Sequence, residues 1–272
     1  MKIAILPLLY TLLVPVSAQD DTICVKYTKA VFGEDNAENE LSLITAVVNL
    51  AVLGNVTLGV DGILSDEGGL APFFTGAGNT TNRGDTAVSI NFLDGAADLP
   101  SPSTSSYTFI LLSHLYQFFG GLLGCNAEEF PVYQGDPDMY RVHKFMDLDE
   151  DQMDFFITQV ALAGTALGVT EDDIAMIGSV LDGLFNMRCT PTLTADDGVP
   201  SFLVGTNPSM CQALSCPVAD ATACPDANGT SAGSSVPTSA PFENNAQTSD
   251  AAVITTWIAV AMTGVAVSFM LL

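Results

Sequence analysis

Apolar residues recur at helical spacing through much of the middle of the chain. Glu40 to Leu53 is an apolar-rich run ended by Gly54. From Tyr107 to Leu123, the residues Leu111, Leu115, Phe118, Phe119 and Leu122 fall on one stripe, which Gly124 closes. A short helix is expected from Asp138 to Met146. Asp147 or Asp149 is placed to cap the next, which carries Phe155, Phe156, Val160 and Leu162 as far as Gly168. Thr170 followed by Asp173 has the spacing of a capping box for a last helix to about Met187. The segment between Gly54 and about residue 105 breaks the pattern. Gly54, Gly59 and Gly62 argue against a helix, at about 1 kcal/mol each relative to Ala. Val56 to Val60 and Ala87 to Leu93 read instead as two strands. The expected fold is mainly α, a helical domain over residues 24–189 with an inserted β-hairpin or small sheet at about 54–105.

The ends of the chain read as targeting segments. Lys2, the apolar stretch Ile3 to Val14 and the small-residue site Val16-Ser17-Ala18 form a signal peptide over residues 1–18. This stretch is shorter than the roughly 20 apolar residues that span a bilayer. Residues 251–272 form a second apolar run, with no charge inside and no Lys or Arg after it. That pattern fits a glycosylphosphatidylinositol attachment signal, with Asn244 favoured by residue type and Ser239 by spacer length. A membrane helix without a cytoplasmic tail is the alternative. Residues 228–250, rich in Ser, Thr, Ala, Asn and Pro, read as a stalk. The Pro-punctuated stretch 190–227 reads as a Cys-bearing appendage.

Cysteine usage agrees with export. Cys24, Cys125, Cys189, Cys211, Cys216 and Cys224 form an even set without a C-x-x-C pair, so disulfides are expected rather than zinc. Six cysteines permit 15 connectivities, and the close spacing of the last three points to a local staple. Sequons at Asn55, Asn79 and Asn228 mark expected glycosylated surface loops. The expected location is the extracellular face of a eukaryotic plasma membrane or cell wall.

Charge narrows the partners. The 272-residue chain has 7 Lys and Arg against 31 Asp and Glu, a net charge of −24, although only 14% of it is charged and 48% is hydrophobic. Such a chain gains nothing from neutralising phosphates, which excludes nucleic-acid partners, and it is too apolar for a disordered acidic tail. Familiar motifs are missing as well. Asp147-Leu148-Asp149-Glu150-Asp151 has no Gly where a calcium loop turns. No Lys-Ser/Thr follows Gly120-Gly121, and no Gly-x-Ser-x-Gly element supports a serine hydrolase. No catalytic set emerges, and whether the protein is an enzyme stays open.

The chain has two histidines, both in helical context. His114 lies beside the stripe of Leu111, Leu115 and Phe118, and His143 has Met139 and Met146 at helical spacing. Imidazoles offered from two facing apolar helices are one way to hold haem iron. The plainer reading is one partly buried histidine and one at the surface.

Leu115-Tyr116-Gln117-Phe118-Phe119-Gly120-Gly121-Leu122-Leu123-Gly124-Cys125 resembles the distal helix and following turn of the truncated (two-over-two) globins. Tyr133-Gln134-Gly135, Met139-Tyr140-Arg141-Val142-His143 and the helix pair around Gly168-Val169-Thr170 follow in the same order, so the resemblance spans roughly residues 107–187. It implies His143 as proximal haem ligand, Tyr133 near the haem edge and His114 as a ligand on the other side. The haem would be haem b. Leu111, Leu115, Phe118 and Met139 would form apolar walls. Leu70-Ala71-Pro72-Phe73-Phe74 resembles the family's corner before the distal helix, which places the corner Phe at Phe74. About 30 extra residues follow it, and the distal-Tyr position falls on Val60; alternatively the equivalent helix is 40–53. In so acidic a chain two propionates need local positive charge, which Arg141 and Lys144 flanking His143 would supply. The expected function is an extracellular, surface-anchored haem protein acting in ligand binding, redox chemistry or haem capture, with a diatomic gas or haem as partner. The alternative is a surface structural or interaction protein of similar fold that binds no haem.

Overall fold

The computed structural model describes residues 21–99, 101–220 and Cys224. The expected signal peptide (1–18), Asn228, the expected stalk (228–250) with Ser239 and Asn244, and the expected anchor signal (251–272) lie outside the described residues.

Among the described residues there are seven α-helices and one two-stranded antiparallel sheet. The helices are α1 (Ile23–Phe32), α2 (Ala37–Leu53), α3 (Ala71–Thr75), α4 (Tyr107–Leu123), α5 (Met139–His143), α6 (Glu150–Ala166) and α7 (Glu171–Phe185); the strands are β1 (Thr81–Arg83) and β2 (Thr86–Val88). Helix α2 packs against α1, α4 and α6, and α6 pairs with α7. Ile44, Val48 and Ala51 of α2 meet Met153 and Ala163 of α6 and Leu181 and Phe185 of α7 in one core. Each large side chain removed from water there contributes about 1.5–3 kcal/mol.

The helix ends follow their chemistry. The Ser106 hydroxyl accepts from the Phe109 amide at the start of α4. Gly124 closes that helix at φ 81°, where a Cβ would also collide with Thr22 at 2.7 Å. Asp149 rather than Asp147 caps α6, in a reciprocal box with Gln152. The expected box at Thr170 is built differently. The Thr170 hydroxyl donates to Asp173 at 2.9 Å, and the same carboxylate accepts from Tyr27 Oη at 2.5 Å and Lys26 Nζ at 2.6 Å. Asp173 thereby ties α1 to the start of α7 instead of reinforcing its own helix.

The inserted segment does contain a hairpin, but not the one expected. Val56–Leu58 is a 3₁₀ turn, and Asn55 and Val60 close a small loop over it. The reason is a backbone crossing. A Cβ on Gly54 would meet the Asp61 carbonyl at 2.2 Å, and one on Gly62 would meet Gly54 N at 2.5 Å. The sheet instead pairs Thr81 with Val88 and Arg83 with Thr86, around Gly84 and Asp85, both at positive φ as a tight hairpin turn requires.

Residues 190–219, the Cys-bearing stretch after α7, pack onto the helical body. Leu193 and Leu203 are buried in the core, and the Phe202 ring lies 5.5 Å from that of Phe118 and 5.8 Å from that of Tyr133. Cys24 pairs with Cys125, Cys189 with Cys224, and Cys211 with Cys216, leaving no free cysteine. The local staple is therefore Cys211–Cys216, while Cys224 returns to the end of the domain. Three disulfides mark an oxidising, extracellular or secreted environment. Asn55 and Asn79 are both exposed. No helix among the described residues is long and apolar enough to cross a membrane.

Candidate functional site

Helices α2, α4, α5, α6 and α7, with the hairpin and α3, enclose a mostly apolar cavity of about 440 Å³. That is within the range of small-molecule and cofactor sites, roughly 300–1,000 Å³. Both histidines line it. So do Leu111, Leu115, Phe118, Tyr133, Met139 and Phe74. Val60 is fully buried and lies outside the lining.

His143 ends α5, one turn after Met139, and its Nδ1 lies 2.8 Å from the Met139 carbonyl. A carbonyl only accepts, so Nδ1 carries the hydrogen and donates it, which leaves the Nε2 lone pair free. Burial holds the His143 imidazole below its usual range, outweighing the Met139 carbonyl and Asp136, which act the other way. The ring is neutral at pH 7, as a metal ligand must be. His114 projects from α4 and packs edge-on against Tyr133, with ring centroids 5.8 Å apart. Burial lowers its pKa as well. Tyr133 in turn lies 5.4 Å from Phe118 and is pushed up to about 12, first by burial and then by Asp136.

The two basic residues expected to face a ligand do not. Arg141 is bound to Asp136 through Nε at 2.7 Å and Nη2 at 2.5 Å, and Lys144 to Asp85 at 2.7 Å. Neither lines the cavity. These bonds have another effect. Lys144–Asp85, with the Asn82 side-chain amide donating to the Arg141 carbonyl at 2.8 Å, clamps the hairpin onto α5. The hairpin thereby becomes a wall of the site, contributing Thr80, Thr81, Asn82 and Arg83. Asn82 Oδ1 is buried with no hydrogen-bond partner among the described residues. Arg83 is exposed, and its guanidinium lies 5.9 Å from the centre of the Tyr107 ring, also in the lining. Sequence reasoning missed this basic residue of the cavity. Its signal was an arginine among very few cations, beside a Gly-Asp turn.

A second group of donor atoms, on Cys24, Glu40 and Cys125, lies within 4.8 Å. Both sulfurs are joined in a disulfide and are not thiolates, so the group is not a metal site. Glu40 is fully buried and accepts from the Asn126 and Ala127 amides at 3.0 and 3.1 Å, anchoring the loop after α4. No family model, curated protein or solved structure matches the chain.

Proposed function

We propose that this is an extracellular, surface-anchored haem-binding protein related to the truncated globins, in which His143 and His114 would hold the haem iron. One observation carries the reading: the Met139 carbonyl fixes the His143 hydrogen on Nδ1, leaving Nε2 free on a residue that lines a cavity shared with His114. The donor set fits the group, since both imidazoles are neutral and the surrounding walls are apolar. A bound haem would supply electron transfer or reversible binding of a diatomic gas.

The protein's own groups have separate tasks. The Met139 carbonyl orients the His143 ring and raises its basicity as a ligand. Leu111, Leu115 and Phe118 exclude water from the His114 wall, and Tyr133 supports the His114 ring edge-on. Phe74 and Met139 close the cavity elsewhere. The exported, disulfide-bonded body would be held at the cell surface through the C-terminal segment.

The test is optical. Purified protein titrated with haem b should develop a sharp low-spin absorption spectrum. His143→Ala should abolish it and His114→Ala should convert it to a five-coordinate form. No uptake at micromolar haem refutes the reading and favours a surface protein with a structural or interaction role.

A further inference from the structure

We propose that Arg83, on the inserted hairpin, is the anion-recognition residue of the cavity, selecting an apolar guest that carries a carboxylate at its edge. The inference rests on the haem reading and specifies which part of the guest faces which wall.

Among the described residues, Lys26, Lys29, Arg141 and Lys144 each hold a carboxylate, on Asp173, Asp21, Asp136 and Asp85 respectively. Arg188 donates through Nε to the Cys216 carbonyl. Arg83 has no carboxylate partner among the described residues. In a chain with 31 acidic side chains and 7 basic ones, any arginine is surrounded by competing carboxylates. Leaving one unpaired at the rim of an apolar cavity keeps its five donors available for an anion from outside.

Position supports the same assignment. Arg83 ends β1 and is held to the cavity by the hairpin's clamp on α5. Tyr107 packs against its guanidinium and restrains it at the rim without consuming a donor. The hairpin contributes Thr80, Thr81 and Asn82 beside Arg83 to a lining that is otherwise mostly apolar, with Tyr107, His114, Tyr133, Asp136 and His143 as its other polar side chains. A guest that is apolar over most of its surface and anionic at one edge matches a mostly apolar cavity whose one basic lining residue, Arg83, is exposed. The guanidinium is exposed, so solvent and salt weaken the contact, and a several-fold rather than a thousandfold preference is expected.

The experiment compares iron protoporphyrin IX, with free carboxylates, against its dimethyl ester on the full-length protein. Wild type should bind the free acid about 3- to 10-fold more tightly, as expected of one exposed charge-assisted contact. Arg83→Ala should lose that preference while keeping wild-type affinity for the ester, which also shows that the variant is folded. Lys29→Ala, a charge removed elsewhere, should leave the preference intact. An undiminished preference in Arg83→Ala overturns the proposal, as does equal binding of acid and ester by wild type, with the haem reading untouched. Failure of wild type to take up either compound overturns the haem reading and this assignment together.

Discussion

Burial of His143 makes a quantitative demand on acid stability. Its folded-state pKa lies below the unfolded value of 6.5, so below that pH the unfolded chain binds the proton and the folded chain resists it. Stability is complete above pH 6.5 and is lost as pH falls. With a slope limit of about 1.4 kcal/mol per pH unit per proton, the loss from this ring between pH 6.5 and 5.5 reaches up to about 1 kcal/mol. Other groups are shifted as well. His114 shifts in the same direction, whereas Glu40, Glu150 and Asp154 are raised by burial and act with the opposite sign, gaining stability as they protonate. A difference measurement cancels them. Urea unfolding of haem-free wild type and His143→Gln at pH 7.0, 6.5, 6.0 and 5.5 isolates the single ring. The two stability curves should converge as pH falls. Parallel curves over this window would refute the claim that the cavity keeps His143 neutral.

Two further outcomes concern the junction of α1, α2 and α4. Replacing Cys24 and Cys125 together by Ser opens a link of sequence separation 101 and should cost about 2–5 kcal/mol in a denaturant titration. Glu40→Ala removes the acceptor of two backbone amides and should cost about 2–3 kcal/mol in the same assay. Because both sites hold the same loop, the combined variant should fall short of the sum.

Where local chemistry determined structure, it was visible in the residues. The bounds of α4 follow from the Ser106 hydroxyl, the apolar stripe and Gly124, and α6 begins at Asp149 because Gln152 completes its box. Both histidines and their apolar neighbours reach one cavity because helical spacing places them on a common face. Adjacency in sequence misled for Arg141 and Lys144. Residues two before and one after His143 leave a helix on other faces, whereas Met139, four before, shares its face. The hairpin was misplaced because the close crossing of Gly54 with Asp61 and Gly62 is a tertiary contact without a local pattern. Residues 190–219 lack periodicity, so nothing local showed that the Phe202 ring would pack against those of Phe118 and Tyr133.

The pattern of covalent links has a consequence for the cavity. Cys24–Cys125 closes the segment holding α2, the hairpin and α4, while Cys189–Cys224 and Cys211–Cys216 brace the chain after α7. No disulfide joins the His114 side, before residue 125, to the His143 side, after it. The two walls are held together by packing and by the surface contacts of the hairpin, all of which re-form after breaking. Any movement of one wall against the other therefore disturbs the core shared by α2, α6 and α7 but breaks no covalent bond. The His143 helix lies inside no disulfide loop, so its place against the His114 wall depends on non-covalent contacts alone.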